Sequence, residues 1–149
     1  MSVIDAKGRV SIPPELRSLI LENGANEPRI ALNFHNSEQY LVAFEKAYIP
    51  ELQAKSDRDY AEREDPSLTR DYFDDQNFGT LETQPFDASG RFIMSPVMRR
   101  LGQFEDLAFF FGSGAVIRIW NPWLARESAL VPRGPKVILE TLLEQKGLL

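Results

Sequence analysis

One motif occurs twice in this chain, and that repeat limits the possible folds more than any other feature. Asp5-Ala-Lys-Gly-Arg9-Val-Ser-Ile-Pro-Pro14-Glu-Leu-Arg17 returns as Asp87-Ala-Ser-Gly-Arg91-Phe-Ile-Met-Ser-Pro96-Val-Met-Arg99. Asp5/Asp87, Gly8/Gly90, Arg9/Arg91, Pro14/Pro96 and Arg17/Arg99 all pair at one offset, since 87 − 5 and 99 − 17 both equal 82. A repeat in constant register predicts two copies of one supersecondary unit sharing a core.

Each copy has a local physical reading. The Asp carboxylate can cap backbone N–H groups at the start of a turn, and Gly at the fourth position can take a positive φ. Followed by a bulge, such a turn joins two antiparallel strands. Val10 to Ile12 and Phe92 to Met94 are then outgoing strands. Pro13-Pro14 and Ser95-Pro96 end those strands and open short helices, because proline suits a first helical turn. Each half is expected to be a hairpin, a strand and a helix start. Turn geometry needs Asp and Gly but not Arg, so Arg9 and Arg91 are candidates for more than folding. A guanidinium at a rigid turn matches the fork geometry of phosphate or of a guanine edge.

The rest of the chain follows the same order twice. In the first half, residues 29–34 and 39–44 read as strands around the polar turn His35 to Glu38, after a helix ended by Asn23-Gly24. Residues 45–56 read as a helix, and 58–75 as a second, charged helical stretch broken near Pro66. In the second half, strands at 107–111 and 115–120 flank Gly112-Ser-Gly114. Asn121-Pro122 opens a helix over 123–130, and 136–146 is amphipathic with Val137, Leu139, Leu142 and Leu143 apolar. The expected class is mainly β with flanking helices, α+β. The expected division is a first repeat at 1–47, an acidic helical connector at 48–81, a second repeat at 82–127 and a C-terminal helix at 128–149.

Charge separates the connector from the repeats. The chain carries −5 with a pI near 5.0, which argues against indiscriminate nucleic-acid binding. Residues 57–75 hold eight acids and three bases, so that segment alone supplies the −5 (3 − 8). The remainder balances, with 17 − 3 = 14 bases and 22 − 8 = 14 acids. Both motif regions are locally positive.

Several function classes find little support. Cysteine is absent, which removes disulfides, thiolate metal sites and cysteine nucleophiles. No apolar run approaches membrane-spanning length and no signal pattern opens the chain, so a soluble cytoplasmic protein without membrane contact is expected. The single histidine, His35, lies in a polar turn, and no glycine-rich phosphate loop or serine elbow is present. Asp57, Asp59, Asp74 and Asp75 lack calcium-loop spacing and read as a solvated face. Trp120 and Trp123 read as core and subunit interface. We expect no enzyme, no cofactor and no metal.

Taken together, Asp-Ala-Lys-Gly-Arg at 5–9 with Pro13 and Arg17, its second copy at 87–91 with Arg99, and Gly112…Ile117-Arg-Ile-Trp120-Asn-Pro122 resemble the MraZ family of bacterial transcriptional regulators. The halves are similar to swapped-hairpin domains of the AbrB/SpoVT type. The resemblance implies a pseudo-symmetric two-repeat double-split β-barrel and a ring-shaped homo-oligomer. It also implies binding to double-stranded DNA at tandem promoter repeats of the division and cell-wall gene cluster, in the cytoplasm at the nucleoid. The implied DNA contacts are Lys7, Arg9 and Arg91. Asp5, Gly8, Arg17, Asp87, Gly90 and Arg99 are the supporting motif, with Arg17 and Arg99 expected to pair with carboxylates behind the turns. This chain departs from the family in four places. Only four residues precede Asp5, which predicts either an incomplete first sheet or a misassigned start. Ser89 stands in place of a second Lys, Ser95 in place of a proline, and Arg118 in place of an acidic residue. Two other readings remain open: a partner-binding ring with weak or no DNA binding, and an antitoxin-like dimeric DNA binder.

Overall fold

The structure is a computed structural model that describes residues 1–23, 28–34 and 39–149. The expected turn at His35 to Glu38 and the expected helix stop at Gly24 lie outside the described residues. Strands β1 (Ser2–Val3), β2 (Arg9–Ser11), β3 (Arg29–Phe34) and β4 (Tyr40–Phe44) with helix α1 (Pro14–Asn23) make the first repeat. Strands β5 (Glu82–Pro85), β6 (Arg91–Ile93), β7 (Leu107–Ser113) and β8 (Val116–Trp120) with α4 (Pro96–Leu101) make the second. Helices α2 (Ile49–Ala61) and α3 (Arg70–Phe78) connect them, and α5 (Pro122–Glu127) and α6 (Arg133–Gln145) follow.

The repeats interlock. Six strands form one antiparallel sheet in the order β1-β7-β8-β4-β3-β5, and β2 pairs with β6 in a separate ribbon. Exchanging the repeats (β1 with β5, β3 with β7, β4 with β8) reverses that order, so a pseudo-twofold axis passes between β4 and β8. In the ribbon, Val10 faces Phe92, its own counterpart 82 residues later. In the sheet the axis falls on the Val42–Arg118 pair. The barrel is therefore a curled six-stranded sheet with the ribbon laid across its concave side.

The ribbon is too short to stand alone, since each strand has three residues. Burial holds it. Val10, Ile12, Phe92 and Met94 are almost fully buried against Ile30, Leu32, Leu41, Ile117 and Ile119 of the sheet. Each such side chain contributes about 1.5–3 kcal/mol on burial, more than a ladder hydrogen bond. The alternation that buries Val10 and Phe92 turns Arg9, Arg91 and Ile93 outward.

Several expectations are corrected. The Asp-Gly turn forms in both copies, but the strands on either side of it do not stay paired. β1 leaves to join β7, and β5 leaves to join β3. Local pattern predicts the turn, whereas the partner of each strand is decided by the other repeat. Ser2 and Val3 do supply the first edge strand, despite the short lead before Asp5. α2 runs on to Ala61 rather than ending near Ser56, and the helical break falls at 62–69, around Pro66. Gly112 lies within β7, and only Gly114 takes the positive φ of that hairpin. α5 is shorter than expected, ending at Glu127 with Asn121 Oδ1 capping the Trp123 N–H at 2.9 Å. Val137 faces solvent, while Leu139 and Leu143 are buried with Tyr40, Phe109 and Trp120. Among the described residues no helix is long and apolar enough to cross a membrane.

Candidate nucleic-acid interface

The two turns have the same internal wiring. Asp5 O accepts the Gly8 N–H at 2.9 Å, and the Asp5 N–H donates to Arg9 O at 3.1 Å. Asp5 Oδ1 accepts the N–H groups of Lys7 and Arg9, both at 2.9 Å. In the second copy Asp87 O accepts from Gly90 at 2.9 Å, and Asp87 Oδ1 accepts from Ser89 at 2.9 Å and Arg91 at 3.0 Å. Gly8 and Gly90 have φ of +83° and +74°, the left-handed region that glycine enters without a Cβ penalty.

Each arginine is paired with the aspartate of its own turn. Arg9 Nε donates to Asp5 Oδ2 at 2.6 Å, and Arg91 Nε to Asp87 Oδ2 at 2.8 Å. Both side chains stay about half exposed, at 50% and 54%. The pairing orients each guanidinium through Nε, and among the described residues its two terminal nitrogens have no partner. That is a preset fork for an incoming acceptor. The Arg9 guanidinium, with the Arg9 and Lys7 N–H groups, holds the Asp5 carboxyl below its ordinary range. The Arg91 N–H and then its guanidinium do the same for Asp87. Both acids are therefore ionised at neutral pH.

The structure brings Arg9 and Arg91 together. Arg9 lies opposite Ile93 and Arg91 opposite Ser11, so the two arginines are diagonal neighbours on the solvent face of the ribbon. They line one shallow cavity of about 370 Å³ with Gln84, Pro85 and Ile93. Gln84 Oε1 accepts the Ile93 N–H at 3.2 Å and ties β5 to the ribbon. Lys7 stands apart, at the tip of the first turn. It lines a different opening of about 410 Å³ with Met94, Arg99 and Arg100.

Arg17 and Arg99 do not pair with carboxylates among the described residues, contrary to expectation. Arg17 Nε donates to the Ile12 carbonyl at 2.9 Å, and its side chain lies under Gly90. Arg99 Nη2 instead donates to the Glu105 carbonyl at 2.8 Å. Arg17 thus braces the second turn, whereas Arg99 stands beside the first with Arg100. Arg100 was not singled out from the sequence, although the charge count of 87–100, three bases to one acid, already pointed to that stretch. Ser95, in the place of a proline, caps α4 by accepting the Met98 N–H at 3.2 Å and donates to Glu82 at 3.2 Å.

The acidic connector consumes part of its charge internally. Asp57 pairs with Arg70 at 2.8 Å and Asp59 with Lys55 at 2.7 Å. Arg63 and Arg70 both stack on Tyr60, 4.0 and 4.6 Å from the ring centroid. Among the described residues no group of three or more His, Cys, Asp or Glu is placed to hold a metal ion.

No family model matches the chain. Among individual proteins, it is 32% identical over 123 residues to a protein of Xanthobacter autotrophicus named Transcriptional regulator MraZ, covering 80% of this chain and 72% of that protein. It is 31% identical over 120 residues to the protein of that name in Rickettsia bellii, covering 80% and 75%. With the one in Ruegeria pomeroyi it shares 28% over 125 residues, covering 80% and 72%. With likeness of that extent, and with a duplicated turn motif folded into an interlocked two-repeat barrel, this chain belongs to the MraZ family of transcriptional regulators.

Proposed function

We propose that the protein binds double-stranded DNA sequence-specifically through the solvent face of the β2–β6 ribbon and regulates transcription from the bound promoter. The observation that carries this reading is the convergence of Arg9 and Arg91, one from each repeat, as oriented half-exposed forks on one rigid surface. One arginine reads a guanine edge in the major groove while the other, with Lys7, contacts phosphate. A single subunit offers few cationic contacts, so affinity depends on several subunits of a homo-oligomeric ring engaging tandem repeats at matched spacing. The acidic connector discourages indiscriminate binding. The regulated genes are those of the division and cell-wall cluster, and the protein works in the cytoplasm at the nucleoid without enzymatic activity. In this reading 1–47 and 82–127 are the two DNA-facing repeats, 48–81 the connector and 128–149 the C-terminal helix.

The test is a fluorescence-anisotropy titration with a duplex carrying the tandem repeats upstream of the protein's own gene, at two salt concentrations. Tight binding that weakens with salt, and weakens at least tenfold in Arg9→Ala, is expected. Equal affinity of Arg9→Ala and the wild type would overturn the assignment of the ribbon face. Absence of wild-type binding at low salt would favour a partner-binding ring.

A further inference from the structure

On the convex face of the six-stranded sheet a cation, Arg118, stands beside apolar side chains. The side chains there alternate with the core-facing set: Tyr40, Val42 and Phe44 on β4, Val116 and Trp120 on β8, Phe109 and Phe111 on β7. Arg118 lies among them, opposite Val42 on β4 and Phe111 on β7, at the pseudo-twofold axis. Its counterpart in the first repeat is that apolar Val42. The guanidinium donates to the Tyr40 hydroxyl and sits 4.7 Å from the centroid of that ring. Among the described residues no carboxylate lies within ion-pairing distance of it. A half-buried guanidinium on an apolar sheet is costly unless an anion or water completes it.

Arg118 opens into a cavity of about 520 Å³ between the sheet and α2–α3. That is the size range of small-molecule sites. One part of its wall is apolar and aromatic, with Phe34, Val42, Phe44 and Leu52, and the amides Asn33, Gln76 and Asn77 line it as well. The other charged groups lining it are Lys55, Asp59 and Glu62. Lys55 and Asp59 neutralise each other at 2.7 Å, and Asn77 bonds both, at 3.2 Å each. Glu62 is exposed just beyond the end of α2 and keeps its carboxylate in water. Among the described residues that line the cavity, Arg118 is the one cation without an anionic partner.

We propose that this cavity binds a small organic anion with an apolar body. The carboxylate or phosphate head is taken by the Arg118 fork, and the body lies against Val42, Phe44 and Val116. This site is on the opposite side of the sheet from the arginine ribbon and stands or falls independently of DNA binding.

The test uses two fluorescent probes of similar shape: 8-anilinonaphthalene-1-sulfonate, which carries one anionic group, and uncharged N-phenyl-1-naphthylamine. Each is titrated into the wild type, Arg118→Ala and Arg118→Lys. We expect saturable binding of the anionic probe, weakened about tenfold in Arg118→Ala, with Arg118→Lys in between because lysine keeps charge but loses the fork. The neutral probe should bind all three alike. Competition by octanoate or by octyl phosphate distinguishes a carboxylate from a phosphate head. Equal anionic-probe affinity in the wild type and Arg118→Ala, a parallel loss for both probes, or no displacement by either competitor would overturn the proposal. So would a shift in sedimentation of Arg118→Ala with probe binding unchanged, since the guanidinium would then serve a contact between copies. If Arg118→Ala does not fold, Arg118→Lys carries the comparison.

Discussion

The two turns are nearly identical in backbone and different in what stands behind them. In both, aspartate accepts two N–H groups, glycine takes a positive φ and arginine is held through Nε. Behind the second turn Arg17 reaches under Gly90 and bonds the Ile12 carbonyl. Behind the first, Arg99 turns away to the Glu105 carbonyl and leaves Gly8 facing the Met94 carbonyl. Helix length accompanies the difference: α1 has ten residues and α4 six, so the chain returns toward the sheet a turn sooner after Arg99. The same motif thus yields one braced turn and one turn open to a cluster of Lys7, Arg99 and Arg100. A duplicated sequence preserves the local hydrogen bonds, while the carbonyl that Arg17 or Arg99 reaches separates the reinforced turn from the electropositive one.

The sharpest way to break this comparison is to add a methyl group at each glycine. In Gly8→Ala the new Cβ would sit 2.7 Å from the Met94 carbonyl oxygen, a backbone atom within the ribbon. With the cost of a positive φ, a loss of about 2–4 kcal/mol in urea unfolding is expected. In Gly90→Ala the Cβ meets the Arg17 side chain, which can swing aside. The expected loss there is smaller, about 1–2 kcal/mol. Equal losses would mean that Arg17 is as immovable as backbone.

Removing the brace itself comes next. Arg17→Ala should cost about 1–2 kcal/mol, because it abandons a partly buried carbonyl to no partner. Arg99→Ala should cost clearly less, since the bond it loses is exposed. A reversed order in thermal melts would sink the assignment of Arg17 as the brace. Within the proposed DNA reading, exchanging Lys7 and Ser89 probes the electropositive side. Lys7→Ser should lower the salt dependence of duplex binding by about one unit of slope, and Ser89→Lys should raise it by about one. No change in either slope would mean that the turn tips do not touch phosphate.

The smallest effect is that of acid. The folded chain holds Asp5 and Asp87 below the ordinary carboxylate range, so their contribution to stability is complete at neutral pH. It should fade as pH falls below about 4, through the depressed folded values. Asp5→Asn and Asp87→Asn should flatten that part of the pH–stability curve. A curve unchanged in both variants would assign acid sensitivity to other carboxylates, such as Asp59. There burial opposes ionisation, and the bonds from Lys55 and Asn77 prevail.

What was legible in the sequence was what is decided locally. Aspartate, glycine and proline mark turns and helix starts by their own conformational limits, and the apolar runs after each Arg marked the strands β2 and β6. Strand partners were not legible. β1 and β5 carry no residue that names the other repeat's sheet as their destination, and only the packed core decides it. The partners of Arg17 and Arg99 were missed for a related reason: carbonyl acceptors leave no trace in a residue list. Arg118 was visible as a departure from its family, but its burial among aromatic neighbours needed the sheet register.

The ribbon of β2 and β6 has a consequence for how the site depends on protein concentration. Half of it comes from each repeat, so a chain with a single copy could form it only by meeting another chain. Here the two copies are joined by the connector, which replaces that bimolecular encounter with a local concentration on the order of millimolar. The arginine pair is then complete in every folded molecule, even at the lowest cellular abundance. Dilution cannot take apart a surface that one chain builds from its own two repeats.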